Sequence, residues 1–230
     1  MTTKGMKSLV LAVLLMTAFC GGAQAGDAVK IEWEDLMPKA TIPEDPLMKL
    51  PMDQQDAFEN LHYWLTLSPQ DKLSTNPEDI KEIKKAASEA RALFKREGVD
   101  FDKLYERFNA REKVIDQINK TTIDTYNTKR ISIAGYLLPL EFDKRGVTEF
   151  LLVPYVGACI HVPPPPINQT VFVHMNKRYK INGLFDPVWV SGRMKNTLVQ
   201  KKLSLVDGNG RIQAGYSLSG DAVIAYTPPS

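Results

Sequence analysis

Apolar residues in the first half of the chain recur every three or four positions, which is the spacing of one face of an α-helix. After a proline-rich and therefore extended stretch at 41–51, this spacing predicts three helices, near residues 53–67, 76–98 and 100–121. An asparagine, a proline and two acidic residues at 76–79 are typical of a capped helix N-terminus. We therefore expect a mainly helical N-terminal region.

From residue 129 onward apolar and polar residues alternate, and turn-forming residues separate the alternating runs. Gly135 interrupts the first run, which is typical of a strand that must bend in a closed sheet. The fold class predicted is α+β, with a helical region over 26–128 packed on a small OB-type five-stranded β-barrel over 129–230. The five strands are expected near residues 131–137, 149–153, 170–174, 188–193 and 222–226.

The N-terminus has the pattern of a secretory signal peptide. Two lysines precede an apolar run at 9–19, and an Ala-Gln-Ala sequence ends at Ala25, so we expect residues 1–25 to be cleaved after Ala25. An apolar run of this length is too short to span a bilayer, which takes about 20 residues. The predicted mature protein is therefore periplasmic and has no transmembrane segment. Lipidation of Cys20 is a further alternative, disfavoured by the bulky Phe19 before it.

Charge is balanced overall but unevenly distributed. The whole chain has a net charge of +2, and without the two lysines of the signal peptide the net charge is zero. Such a balance argues against a general binder of nucleic acid or of anionic membranes. Residues 26–128 carry 15 basic and 21 acidic side chains, whereas residues 129–230 carry 12 and 6. Opposite charges suggest either two parts docked on one another or an anionic partner for the second part.

The candidate chemistry lies in a segment that contains a cysteine, a histidine and four consecutive prolines. Cys159 and His161 are two positions apart, so on an extended chain their side chains point to the same face. Prolines 163–166 form a stiff polyproline II rod behind them. Thiolate and imidazole suit zinc or copper, and a hairpin would add His174 as a third ligand. His62 is a further candidate, and a small buried cysteine is the plainer alternative.

Catalysis is the second interpretation of the same residues. A thiol-dependent enzyme or redox protein would use Cys159 as its nucleophile, but a histidine two positions away rarely reaches hydrogen-bonding geometry. The sequence has no Gly-x-Ser-x-Gly, no phosphate-binding glycine loop and no His-Glu-x-x-His. A non-catalytic role is therefore the preferred prediction, and the thiol-dependent enzyme or redox protein stays the alternative. No bound nucleic acid is expected, because the predicted mature chain is exported and has no net charge. A third interpretation makes the proline segment a rigid docking loop for a membrane transporter.

Four stretches resemble the exported bacterial proteins grouped as the domain-of-unknown-function family 3299 (DUF3299). They are residues 33–38, 133–140, 150–169 with its Cys-x-His-x-Pro-Pro-Pro-Pro-x-Asn-Gln core, and 188–192. The resemblance implies a periplasmic protein often encoded beside an ABC-type transporter, and in some bacteria beside zinc-acquisition components. It implies no established catalytic activity.

The function predicted is therefore that of a non-catalytic periplasmic accessory protein that handles zinc or copper. Its expected partner is an inner-membrane ABC-type transporter or the periplasmic components of one.

Overall fold

The computed structural model of the protein describes residues 27–140, 145–157, 165–181, 183–205 and 208–227. After a short first strand, the α-helices come before the remaining five strands along the chain. The helices are α1 (Met52–Thr66), α2 (Pro69–Ser74), α3 (Pro77–Arg96) and α4 (Phe101–Lys120). The strands are β1 (Val29–Ile31), β2 (Arg130–Pro139), β3 (Val147–Val153), β4 (Val171–Tyr179), β5 (Asp186–Leu205) and β6 (Gly208–Ala225). Short 3-10 helices cover Trp33–Leu36 and Ile167–Gln169.

The three predicted helices are confirmed, and two of them, α3 and α4, begin at a capping side chain. Asn76 Oδ1 accepts a hydrogen bond from the Glu78 amide at 2.9 Å, and Asp100 Oδ1 accepts one from the Lys103 amide at 3.1 Å. These bonds satisfy N–H groups that have no partner inside a helix. We call the four helices the helical half. Of these, α1, α3 and α4 pack around a buried apolar core made of Ala57, Phe58, Leu61, Ala87, Ala90, Phe94, Phe101 and Leu104.

The strands form one six-stranded mixed sheet, in the order β1-β2-β3-β4-β6-β5. β2 also pairs with β5, so the pairing of β2, β3, β4, β6 and β5 returns to the strand at which it begins. β4 and β6 are parallel, as are β1 and β2, and the other neighbours are antiparallel. We call β2 to β6 and their connections the β half. An apolar cluster between the strands includes Ile131, Phe150, Val173, Val190, Tyr216 and Leu218.

All five predicted strands are present, but the last two are far longer than the sequence pattern indicates. β5 and β6 pair along a hairpin that continues well past the strand ends expected at Arg193 and Ala222. A register shift between Asn196 and Val199 divides the hairpin, since paired residues resume only after it. Beyond this bulge, Val199 and Ile212 join a second apolar cluster, formed around Leu138, Leu151, Val153, Phe172 and Ala214.

Gly135 marks a close approach in the middle of β2. A Cβ atom at this position would lie 2.9 Å from the Trp33 ring and 2.9 Å from the Val153 carbonyl oxygen. Before Gly135 the strand pairs with β1, and after it with β3. A side chain is therefore excluded where the indole ring of Trp33 packs against the strand.

In the part of the chain that the structure describes, no helix combines the length and the apolar character needed to cross a membrane.

Candidate functional site

Cys159 and His161, the two main predicted ligands, lie outside the described residues. The structure describes the end of the same segment, from Pro165 onward, where Ile167–Gln169 forms a 3-10 helix. We call residues 166–170 the junction, because their side chains reach three separate parts of the fold. Within the elements described, the contact of α4 with the β half is made chiefly at this 3-10 helix.

Asn168 links the junction to the end of α4. It is fully buried, and its Nδ2 donates hydrogen bonds to the Ile118 carbonyl at 2.7 Å and the Thr121 carbonyl at 3.0 Å. The last carbonyl groups of a helix have no partner inside the helix, so a buried amide donor is a specific way to satisfy them. Its Oδ1 is buried and accepts no hydrogen bond from the described residues. Asn168 therefore attaches the helical half to the proline segment.

Gln169 and Thr170 connect the same segment to the N-terminal stretch and to itself. Gln169 Nε2 donates to the Trp33 carbonyl at 2.8 Å, and Trp33 Nε1 donates to the Ala134 carbonyl in β2 at 2.8 Å. Thr170 Oγ1 donates to the Pro166 carbonyl at 3.1 Å, which closes the turn after the prolines. The exit of the proline segment is therefore held on both sides by side-chain hydrogen bonds.

Tyr216 and Gly215, on β6, complete the surroundings of the junction. The buried Tyr216 hydroxyl donates to the Leu36 carbonyl at 2.8 Å and accepts from the Ile123 amide at 2.7 Å. Burial and the charge of Asp124 raise the pKa of Tyr216, although the Ile123 hydrogen bond opposes them. At Gly215 an added Cβ would lie 2.7 Å from the Ile167 carbonyl oxygen, so only glycine allows β6 to approach the junction this closely.

A pocket of about 380 Å³ opens beside the junction. It lies between the end of α4, the proline segment and the β5–β6 hairpin, and it combines carboxamide groups with apolar walls. Among the described lining residues Lys120 is the charged one, and its Nζ pairs with Asp116 at 2.7 Å. Its lining residues are Asn119, Lys120, Pro165, Pro166, Ile167, Gln200, Ile212 and Gln213.

His174, the third predicted ligand, is exposed on β4 between the buried Val173 and Met175. Its Nδ1 lies 3.4 Å from Oε1 of Glu149 on β3, and Oε2 of Glu149 accepts from Lys201 Nζ at 3.0 Å. Burial alone would raise the pKa of Glu149, but the hydrogen bonds and charges of Lys201 and His174 bring it below its ordinary value. The role of His174 in a metal site stays a prediction, because its proposed partners are not described.

The described residues contain no group of three or more His, Cys, Asp or Glu side chains that could hold a metal ion. His62, the further candidate, lies in the helical half, where it stacks on Phe58 at 5.9 Å and meets the edge of Phe108 at 5.2 Å. Its Nδ1 is buried without a partner among the residues described. Sequence reasoning placed Asn168 and Gln169 in the motif that carries the family resemblance, but it did not anticipate their structural roles.

The chain is similar to known proteins over most of its length. A crystal structure of a DUF3299 family protein from Pseudomonas aeruginosa PAO1 matches 89% of this chain and 100% of its own, with 24% sequence identity and a TM-score of 0.47. No curated protein matches the sequence. The family described as "Protein of unknown function (DUF3299)" matches residues 33–225. This protein therefore belongs to the DUF3299 family.

Proposed function

We propose that the protein is an exported, non-catalytic accessory protein that presents its proline segment, residues 157–169, as a rigid docking element for a partner protein. The signal-peptide pattern over residues 1–25 supports periplasmic export. The strand pairing supports an OB-type barrel as the scaffold, since it returns to β2 and makes β4 parallel to β6.

The observation that carries this proposal is the junction itself. Asn168, Gln169 and Thr170 each use a side-chain donor to hold the exit of the proline segment. Proline residues reduce the conformational freedom of the segment before binding, and the junction reduces it further. A preorganised loop loses less entropy on association, which favours affinity.

The entry to the segment supports the same function. Directly after β3, Tyr155 is 41% exposed and Val156 is 59% exposed. Aromatic side chains with an apolar body and a polar tip are enriched at protein interfaces. The partner that we propose is an inner-membrane ABC-type transporter or one of its periplasmic components, the class that the resemblance implies.

Site-specific photocross-linking in cells that express the protein tests the docking proposal. A photoreactive amino acid at Tyr155 should give a covalent adduct with a transporter subunit, identified by mass spectrometry. The same group at Leu73, which is 81% exposed on α2, is the matched control and should give no such adduct. Equal adducts at both positions, or none at Tyr155, would contradict the proposal.

Metal handling is the second candidate function, favoured by the position of Cys159 and His161 just ahead of a fixed segment. A rigid exit would hold the thiolate and the imidazole in one small space, as zinc or cuprous copper requires. Calorimetric titration of the reduced protein with either ion tests this proposal. Cys159→Ser and His161→Ala should each weaken binding by about tenfold or more. Equal binding by wild type and Cys159→Ser, or binding by neither, would rule it out.

The variant His174→Ala distinguishes a metal site that includes His174 from one that does not. The variant should weaken metal binding only if His174 is the third ligand, and otherwise it should bind as wild type does. Since His174 contacts Glu149, Glu149→Gln is the matched control for a change in that surface pair.

A further inference from the structure

Five polar side chains form one continuous row across the outside of the β half. Successive register partners on β3, β4, β6, β5 and β2 place them side by side: Glu149, His174, Ser219, Arg193 and Arg130. His174, Ser219 and Arg193 are exposed and each lies between two buried neighbours on its strand, so this part of the row lies on the outer surface. Residues on adjacent strands are about 5 Å apart, so the row is a compact feature of the surface.

A second row, one step along the strands, adds a lysine and another serine. Phe172 on β4 pairs with Ser217 on β6, and Ser217 pairs with Lys195 on β5. Ser217 and Ser219 are small, whereas the residues beside them on β4 and β5 are large. Ser217 and Ser219 therefore form the base of a shallow trough on the outer surface. Arg193 and Lys195, their register partners on β5, lie along one side of it.

The carboxylates near this trough already have partners. Glu149 binds Lys201 and His174, and Asp221 accepts two hydrogen bonds from Arg130, both at 2.9 Å. Asp124 accepts from the Asn196 amide at 2.7 Å.

Arg193 donates one hydrogen bond to the Thr128 carbonyl at 2.6 Å. A guanidinium has five N–H donors, so among the residues that the structure describes this bond leaves further donors of Arg193 facing outward. Hydroxyl, guanidinium and ammonium groups are donors that bind the oxygens of a phosphate group.

We propose that this outer face of β4, β6 and β5, centred on Ser219, Arg193 and Lys195, binds the phosphate groups of an anionic phospholipid surface. Three observations favour a lipid surface over a small soluble anion. The face is open, because Ser219, Arg193 and Lys195 are all exposed. Leu198, 55% exposed, protrudes at the bulge of the same strand that carries Lys195. The predicted mature chain has no net charge and so no general attraction to anionic membranes, but residues 129–230 carry +6 and residues 26–128 carry −6, which would turn the β half toward a negative surface.

Co-sedimentation of the full chain with vesicles tests the proposal. Mixed phosphatidylglycerol and phosphatidylcholine vesicles should bind the protein, and phosphatidylcholine vesicles should not. Lys195→Ala should weaken binding about fivefold, the expected effect of losing one cation near such a surface. Added salt should weaken binding of the wild type, because it screens exposed charges.

Lys85→Ala is the matched control. Lys85 is exposed on α3 and pairs with Glu89 at 3.8 Å, so its removal changes the net charge equally but lies on the other half. It should leave vesicle binding within about twofold of wild type, and Ser219→Ala should weaken it. Circular dichroism checks that each variant is folded.

Three results would overturn the proposal. The first is no preference for phosphatidylglycerol, and the second is an equal loss for Lys85→Ala and Lys195→Ala. The third is binding of inorganic phosphate by a protein that does not bind the vesicles, which would assign the trough to a small anion. These results are distinguishable from failure of the docking or metal proposals, because neither of those proposals uses Ser219, Arg193 or Lys195.

Discussion

The helical half is held together by residues close in sequence, whereas the β half depends on residues far apart. In the helical half, Phe94 and Phe101 pack with ring centroids 5.4 Å apart, across the short turn between α3 and α4. In the β half, β2 pairs with β5 about sixty residues later, and Tyr216 reaches back to Leu36, 180 residues away. The two halves therefore differ in how their stability depends on the rest of the chain.

At the junction, the described contact between the halves is made by neutral groups. The opposite net charges suggested electrostatic docking, which stays a prediction, whereas the Asn168 amide binds two backbone carbonyl groups. A neutral buried contact is insensitive to salt, whereas exposed ion pairs are screened within about 10 Å at ordinary ionic strength. The salt dependence of stability therefore distinguishes the two kinds of contact.

The largest expected effect comes from opening the helical core. Phe94 is 1% exposed, so Phe94→Ala should lower the free energy of unfolding of the helical half by about 3–5 kcal/mol, through lost apolar contact and the cavity left behind. Hydrogen exchange measured by mass spectrometry should show α1, α3 and α4 exchanging faster, while β3 and β4 stay protected. Equal acceleration in both halves would mean that they unfold as one unit.

A buried hydroxyl on the β side has a smaller but still large expected effect. Tyr216→Phe should lower the free energy of unfolding by about 1–3 kcal/mol, because it leaves the Leu36 carbonyl and the Ile123 amide without their partner. Chemical denaturation followed by circular dichroism measures the change. Tyr63→Phe is the control, since Tyr63 is 53% exposed, and it should stay within about 0.5 kcal/mol of wild type.

The smallest expected effect is a pH dependence that arises at Glu149. Its pKa is lower in the folded protein than in the unfolded chain, so its contribution stabilises the fold above the unfolded pKa of about 4.3. That contribution is lost as the pH falls through the folded pKa. The side chain is 40% exposed, so solvent screening should keep the effect below about 1 kcal/mol. Denaturation of wild type and Glu149→Gln at neutral and acidic pH measures it, and identical pH slopes would contradict it.

The helices could be predicted because their signals are local. Asn76 and Asp100 mark helix starts through their own side chains, and the apolar spacing marks the inner face. The exception is α2, which has six residues and buries none of them, so it lacks an apolar pattern to detect. Its only signal was the cap at Ser68, which accepts from the Asp71 amide at 3.1 Å.

The strand positions could also be predicted, but the long β5–β6 hairpin could not. Its outer part pairs across the bulge at Asn196 and packs Val199 and Ile212 against residues from β2, β3 and β4. That packing depends on contacts between distant parts of the chain, and the polar residues of the hairpin hide the alternation.

The candidate site could be predicted only in part, because some of its residues act through contacts with distant parts of the chain. Chemistry alone drew attention to Cys159 and His161, because a thiol and an imidazole are recognisable in any sequence. The structural role of Asn168 depends on where α4 ends, some fifty residues earlier, and residue type gives no sign of it. Long-range geometry therefore decides which residues of the proline segment support the fold.

Native-state hydrogen exchange on Asn168→Ala tests most directly whether the junction couples the two halves. The variant removes the donor to the Ile118 and Thr121 carbonyls, and the exposed Asn176→Ala is the matched control. We expect the free energy of exchange in the helices to fall by about 1–3 kcal/mol, with β3 and β4 affected less and no change in the control. Unchanged exchange in the helices, or an equal fall in both halves, would contradict the account.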